Sequence, residues 1–538
     1  MLARIRNRQK APVTPPDPEG INYTQEHVSI ARTIRRRQKI LGEVWRRLPT
    51  IQWVLILAGM GWLLALPYEG LWRGTYVDEH ALQPAQVTVY FDWANVHKAD
   101  LYLGELERID NITFEERTEY LQRSFSESGL HTSNTSTATY AHVSPPRSAG
   151  TETILVSANW VSRDGGPNLR GIATLLAMGD FMRGQNYWAF DFVLVIGEGY
   201  QTGLADFMEE YSSLFSGKVW TGVNIDYPGH SFSHLGLFYE GTNGRLPNQD
   251  TLNTFSRVAD SIGVPVRYHN IPDEVEVYRW PFGWLGQYLL AAKHLLHHLA
   301  YAGLGRGSGG HGPMARHRID SYTIYAAPAT GPHGFHSLGR TLESTLRSYN
   351  NLLERLHASY FFYLLPRLGR FLEVGKYLPA AVLMGAGLTL GGLDVPKPLE
   401  AVGLLGAGGV VAGCIWLWPL VYVLLPLLSR VPRSTDDGRK STESLLLLTY
   451  GALVPTLAMI NFPQAVILAL ISIISLKMHR WVRFGTSLVI VVAMPVVLRK
   501  TGMDMGKEWE EVGNLVWPGV HAVLLPLCLV NCVLTKPF

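Results

Sequence analysis

Residues 153–181 read TILVSANWVSRDGGPNLRGIATLLAMGDF, and this stretch decides the fold. Its opening, 153–158, is a short apolar run of the kind buried inside a sheet. Gly165, Gly166 and Pro167 then break it, and helical periodicity follows over 168–183. A buried strand, a tight loop and a helix in that order are the working unit of an α/β layer. The pattern continues on both sides. Apolar, β-rich runs fall at 190–197, 219–226, 234–239 and 320–326, and helical periodicity at 114–128, 203–214, 249–262 and 284–302. The alternation predicts a three-layer α/β domain with a mostly parallel mixed sheet covered on both faces.

The bulk numbers place this domain in a membrane protein. The chain has 538 residues, is 47% hydrophobic and carries a net charge of +3; its mean hydropathy is +0.08. The charge is too small to argue for nucleic acid. The apolar excess is confined to residues 51–67 and to the chain beyond about 374, which is the profile of a membrane protein with one large extramembrane domain. Cys414, Cys528 and Cys532 all lie in the C-terminal apolar runs, so the domain has no disulfide and no cysteine metal site. Asn111 and Asn134 open glycosylation sequons inside the domain and mark it as a candidate glycoprotein; a third sequon, at Asn22, precedes the first span.

Residues 1–50 form a basic tail, with Arg35, Arg36, Arg37, Lys39, Arg46 and Arg47 just before the first apolar run. That run, 51–67, reads as an uncleaved anchor, with the tail cytosolic and residues 68–337 luminal by the positive-inside bias. Gly303–Gly312, GLGRGSGGHG, reads as a flexible loop. Leu338, Leu342, Leu346, Tyr349, Leu353, Leu356 and Tyr360 make one apolar stripe and run into an aromatic cluster, so 338–373 is expected to be a helix lying at the membrane interface. Residues 374–538 form a multi-span bundle, with apolar runs at 377–393, 399–428, 444–460, 464–476, 485–498 and 514–535. With the first span that makes seven, and forward counting places the basic residues 430–440 and 477–483 in the lumen, against the positive-inside bias. The run 399–428 is roughly 45 Å long as a helix, long for one crossing and short for two.

Four further stretches carry a resemblance: RGTYVDEHAL (73–82), RGQNYWAFDFVLVIGE (183–198), YEGTNGRLPNQDTLNTF (239–255) and NNLLERLHASYFFYLLPRLGRF (350–371). In this order they resemble the attachment subunit of the glycosylphosphatidylinositol (GPI) transamidase, the Gaa family, whose luminal domain is similar to di-zinc aminopeptidases. The resemblance implies a subunit of an endoplasmic-reticulum complex that moves GPI lipids onto protein C-termini. It also implies a bundle usually of eight spans and a separate subunit for the cysteine-protease chemistry.

An aminopeptidase of that kind holds two zinc ions about 3.5–4 Å apart through a bridging aspartate. Carried onto this sequence, the His-x-Asp pair becomes Asn159 and Val161, and the bridging position falls near Pro167. Of the Glu-Glu pair only Glu198 remains; Asp226 keeps the strand-end aspartate, and His311 or His333 would supply the late histidine. Valine cannot bind zinc and an amide is a poor substitute for imidazole, so the resemblance implies an inactive shell, a pseudoenzyme without cofactor. His294 and His298 are four apart on a helix, with His297 beside them, but no glutamate accompanies them as in a His-Glu-x-x-His protease. They read as surface histidines. No Gly-x-Ser-x-Gly elbow is present.

Two places suit the GPI lipid. Tyr76, Asp78, Glu79 and His80 follow the first span, where carboxylates beside an aromatic match an ethanolamine ammonium and a sugar ring. The final span carries Pro518, His521, Pro526 and Asn531; the resemblance implies that this span helps recognise the lipid, with Pro526 and Asn531 as candidates. The sequence therefore predicts a noncatalytic GPI transamidase subunit in the endoplasmic-reticulum membrane. Its expected partners are the other subunits, including the cysteine-protease-like one, the GPI lipid, proprotein substrates and the membrane, with no nucleic acid. The enzyme-class alternative is an active zinc enzyme, an aminopeptidase or a metal-assisted catalyst of amide formation.

Overall fold

The computed structural model describes residues 25–75, 88–272, 283–351, 362–393, 436–500, 509 and 513–535. A long helix α1, Gln25–Ala65, leads to a short strand β1, Arg73–Gly74, and then to the α/β domain. Helices α2 (Trp93–Ile109) and α3 (Phe114–Glu127) come first; Thr113 and Glu116 close a reciprocal capping box that fixes the start of α3. The edge strand β2 (His131–Asn134) and its neighbour β3 (Ala138–Val143) follow. Then come β4 (Glu152–Ser157), α4 (Leu169–Arg183), β5 (Asp191–Gly197), α5 (Thr202–Leu214), β6 (Lys218–Asp226) and β7 (Phe232–Phe238). The domain is completed by α6 (Gln249–Ile262), β8 (Val266–Tyr268), α7 (Gly283–Gly303), α8 (Gly312–Arg316), β9 (Asp320–Pro328) and α9 (Phe335–Asn350).

Eight strands form one mixed sheet in the order β2-β3-β5-β4-β6-β9-β7-β8. Its centre, β5-β4-β6-β9, is parallel, as the buried apolar runs predict. Strand residues alternate between two cores. Ile154 and Val156 face the larger one, with Ile172 and Leu176 of α4, Phe255 of α6 and Leu342 of α9. Leu155 and Val193 face the smaller one, with Leu204 and Phe207 of α5 and Met314 of α8. Both faces are covered, so the α/β expectation is met.

The expected interfacial helix over 338–373 is not what forms. Helix α9 ends at Asn350, and its stripe of Leu338, Leu342, Leu346 and Tyr349 is buried in the domain core. Small hydroxyl residues elsewhere on the helix bond back onto it (Thr341 to Ser337 O, Ser348 to Ser344 O), and Glu343 is buried in an ion pair with Arg347. Leu353, Leu356 and Tyr360 lie outside the described residues. From Tyr363 the chain is extended: β10 (Tyr363–Arg367) and β11 (Arg370–Glu373) pair antiparallel, and β11 also pairs with β1. The strands that enter and leave the domain are thus bonded to each other at its base.

The bundle follows: α10 (Val374–Gly391), α11 (Asp436–Ile460), α12 (Phe462–Lys477), α13 (Arg480–Lys500) and α14 (Leu525–Thr535). Arg32–Ala65, Val374–Gly391 and Gly438–Ile460 are long and apolar enough to cross a membrane, and Phe462–Lys477 is a shorter apolar helix. The run 399–428 lies outside the described residues. Helix directions follow from contacts. At the domain end, Tyr288 of α7 donates to Leu64 O, Asn461 to Ala302 O and Asn514 to Leu304 O. At the remote end, Gly391 lies against the side chains of Gln52 and Lys477, and Gly392 against Ser444. Arg480 donates there to Thr535 O.

The forward count is corrected by these contacts. Residues 438–444 and 477–483 both lie remote from the domain, not beside it, and on the same end as Gly391.

Candidate functional site

The carboxyl ends of parallel strands are where α/β sheets place their ligand sites. Here Asn159 follows β4, Glu198 follows β5 and Asp226 ends β6, so the sheet brings together the positions the sequence singled out. Each is already engaged. The Asn159 side chain, 2% exposed, donates to Tyr200 O at 2.5 Å. Val161 and Pro167 pair across a narrow turn, and the Val161 amide donates to Gly199 O at 3.0 Å. Asn168 braces this turn from below: its amide donates to Asn159 O and Ile225 O, and its oxygen accepts from the Tyr227 amide.

Two arginines line the cleft. Arg117 lies 4.4 Å from the Trp160 ring centroid and donates to Glu198 Oε2 at 3.0 Å. Burial pushes the Glu198 carboxyl up, and Arg117 opposes that without cancelling it. The Arg163 amide donates to Asp226 Oδ2 at 2.8 Å. Its guanidinium stands 3.8 Å from the Phe238 ring centroid and donates to Ser308 O and to Tyr301 Oη. Asp226 is 2% exposed, and burial pushes its carboxyl up to about 6.

The two late histidines part company. His311 is fully buried and accepts a hydrogen bond from the Thr323 hydroxyl at Nδ1, while Nε2 donates to Glu240 O. Burial lowers its pKa to about 4, so the ring is neutral. His333 stacks on Phe232 and meets Ser337 across 3.3 Å, away from that cluster. Among the described residues, no three His, Cys, Asp or Glu side chains are placed to hold a metal ion. The residues do not fit a two-metal centre. Valine stands at a ligand position, an arginine pairs the remaining glutamate, and no carboxylate lies where the bridge is needed.

The Gly303–Gly312 segment differs from the expected flexible loop. Ser308, Gly309, Gly310 and His311 are buried. A Cβ at Gly309 would collide with Thr323, and one at Gly310 with Asn224. The glycines permit close packing beneath the cleft.

His294 and His298 are also not on the surface; each is 2% exposed. His298 Nδ1 donates to Glu240 Oε1 at 2.9 Å, and His269 Nε2 donates to the same oxygen at 2.7 Å. Glu240 Oε2 has no hydrogen-bond partner among the described residues. His269 reaches its position from a left-handed backbone, φ 53°, a strained conformation held by the surrounding contacts. Burial opposes ionisation of Glu240, but the two imidazoles outweigh it and hold the carboxyl well below the usual range. The four-residue spacing of His294 and His298 was the visible signal for this cluster; its carboxylate, 58 residues away, was not.

Below the cluster, a cavity of about 340 Å³ opens at the seam between domain and bundle, lined in part by Leu246, His298, Tyr377, Ile460 and Phe462. Tyr76, Asp78, Glu79 and His80 lie outside the described residues. Pro526 and Asn531, the candidates for GPI recognition, fall in α14, and Asn531 is fully buried. Its oxygen accepts from Arg483 at 2.9 Å and its amide donates to Ser487 Oγ at 2.8 Å, so it stabilises Arg483 inside the bundle. Asn111 and Asn134 are exposed.

Residues 135–395 match the family model described as Gaa1-like, GPI transamidase component. The chain is 26% identical over 458 residues to the GPI transamidase component GAA1 of Saccharomyces cerevisiae, a match covering 78% of this chain and 74% of the yeast one. It is 27% identical over 382 residues to the GPI transamidase component gaa1 of Schizosaccharomyces pombe, covering 64% of each. The resemblance read from the sequence is therefore found again by direct comparison. Among solved structures, the LapA aminopeptidase of Legionella pneumophila matches 52% of this chain and 78% of its own, at 12% identity and a TM-score of 0.35. The glutaminyl cyclase of Fimbriiglobus ruber matches 47% and 94%, at 13% identity and a TM-score of 0.32.

Proposed function

We propose, with the similarity to Gaa1-like GPI transamidase components as premise, that this chain is a noncatalytic subunit serving GPI-anchor attachment. Its α/β domain docks the other subunits on the luminal side of the endoplasmic-reticulum membrane, and its bundle holds part of the GPI lipid. The contribution is positional: an amine held at the membrane and aimed at an enzyme-bound acyl group gains effective concentration, with no new chemistry. Tyr76, Asp78, Glu79 and His80 remain the proposed headgroup contacts. Thr75, just before them, is hydrogen-bonded to Gly369 O at the seam between domain and bundle, the depth at which a lipid headgroup sits.

The observation that carries the reading is the state of the strand ends. Glu198 is paired to Arg117, Asp226 accepts from the Arg163 amide, and His311 is sealed and neutral. None is free to act as a general base. The test is a transamidase complex purified with Glu198→Ala and Asp226→Ala in this subunit and assayed for GPI transfer to a proprotein. Both variants are expected to retain attachment, whereas Asp78→Ala with Glu79→Ala should raise the GPI concentration needed and leave the maximal rate. Stoichiometric zinc in the purified subunit, together with loss of attachment in the Glu198 and Asp226 variants, would establish the metallo-enzyme instead.

A further inference from the structure

The hairpin β10–β11 is charged differently on its two faces. Directly paired residues share a face of the ladder. The pairs Leu364↔Leu372 and Arg367↔Arg370 lie on the same face, because a bulge between them on β10 adds one residue and restores the alternation. Leu364 and Leu372 pack into the bundle core, so this is the bundle-facing side. Tyr363, Leu365 and Phe371 pack into the domain core on the other side. There Arg73 of β1, opposite Phe371, is paired with Glu373. The domain-facing charge is thus neutralised and the bundle-facing charge is not. Among the described residues neither Arg367 nor Arg370 has an acidic partner. Two like charges directly opposite each other in a ladder repel.

The hairpin stands where two candidate spans meet the domain. Helix α10 starts at Val374, directly after β11, and α1 ends at Ala65 beside it, with Trp62 Nε1 donating to Lys376 O. Trp62, Tyr68 and Phe362 are exposed around this level, the aromatic edge that marks a membrane–water boundary. Arg370 opens β11 and Val374 opens α10, a separation of at most about 13 Å along the strand. A long side chain leaving the bundle-facing side reaches the headgroup layer from there. The space around the tip is open. Gly74, opposite Arg370 from β1, and Gly369 in the hairpin turn have nothing within 4 Å of where a Cβ would stand. Lys376 adds a third cation in the first turn of α10, an end of a helix where the dipole disfavours positive charge.

We propose that Arg367 and Arg370 clamp the phosphate of an anionic phospholipid in the membrane leaflet on the domain's side. Charge and position select that occupant. A phosphate between the two guanidiniums removes their repulsion and accepts hydrogen bonds from both. Its acyl chains run down beside the apolar α10, and the Lys376 ammonium adds to the attraction for a net negative headgroup. The bound lipid ties the base of the α/β domain, where its entering and leaving strands pair, to the bilayer surface. The inference rests on the crossing helices alone and stands apart from the reading of GPI attachment.

The test uses the full chain in detergent micelles, titrated with phosphatidylserine or phosphatidylcholine and read by native mass spectrometry as lipid retained. The parent should hold phosphatidylserine about tenfold more tightly than phosphatidylcholine. The double variant Arg367→Gln with Arg370→Gln should lose that preference, and Arg123→Gln, an exposed arginine on α3, should keep it. An unchanged preference in the double variant overturns the proposal. Displacement of phosphatidylserine by millimolar inorganic phosphate would make this a site for a soluble anion and overturns it too. Because the double variant can misfold, the unmodified chain is also irradiated in nanodiscs containing phosphatidylserine with a headgroup-proximal diazirine. Adducts within 362–376 are expected, and their absence while adducts form elsewhere on the bundle counts against the clamp.

Discussion

Two carboxylates in the same domain, Glu240 and Asp226, are equally sealed from water and behave in opposite ways. Glu240 is fully buried yet held well below the usual carboxylate range, because two imidazoles converge on one of its oxygens. Asp226 is 2% exposed and burial pushes it up to about 6; the Arg163 amide opposes this only in part, and the Arg163 guanidinium is bonded to Tyr301 and Ser308 and stands over Phe238. Burial acts the same way on both. What differs is whether a charged partner faces the carboxylate. The comparison locates the structural ion pair beside α7, and it leaves the strand-end position, where the fold would place chemistry, with an acid that is costly to ionise.

The largest effect expected from breaking this contrast is at Glu240. Glu240→Ala leaves His269 and His298 buried without their acceptor, at a cost of about 3–5 kcal/mol. Thermal unfolding of the full chain in detergent reads it, and Glu240→Gln, which keeps an acceptor oxygen, should fall between the two. The pH dependence has a definite sign. A depressed carboxyl contributes stability that is present above the ordinary glutamate range and is lost as pH falls through it. Glu240→Gln should flatten that acid limb, and an unchanged limb would remove Glu240 as its source.

The parallel core was legible because buried parallel strands are short apolar runs between turn residues; β4, β5, β6 and β9 match the expected runs closely. The edge strand β2 (HTSN) and its neighbour β3 (ATYAHV) were missed because they carry polar residues and little alternation. The stripe over 338–360 was read as membrane-facing because a 3.6-residue stripe fixes which face is apolar but not what covers that face. Helix α9 turned its stripe to a protein core. At the site, the resemblance implied a shell poor in metal ligands. The residues that took the ligands' place were not legible, since Arg117 is 81 positions from Glu198 and Arg163 138 from Tyr301.

A smaller effect comes from the bundle, whose buried charge is also partnered. Arg483 is held by Glu443, Asn531 and Ser475 O at the end remote from the domain. Asn531→Leu removes a charge-assisted acceptor of similar size to its replacement and should cost about 2–3 kcal/mol. Stability should fall without any change in the GPI concentration needed for attachment. The reverse pattern, intact stability with weaker use of GPI, would return Asn531 to the lipid.

The smallest change, and the one that sharpens the contrast most, is Asp226→Asn. A carboxyl raised from 3.8 to about 6 binds a proton in the folded state that the unfolded chain releases over that interval. Its penalty is therefore absent below about pH 4, grows through the interval and is complete above pH 6. Asparagine keeps an oxygen for the Arg163 amide and cannot ionise. The variant should match the parent near pH 4 and exceed it at pH 7. The gain is put at about 1 kcal/mol, since loss of the attraction to the Arg163 guanidinium offsets part of the relief. Unfolding midpoints measured at both pH values decide it. A variant less stable than the parent at pH 7 would mean that the ionised carboxylate has a cationic partner in the folded chain, and the contrast with Glu240 would collapse.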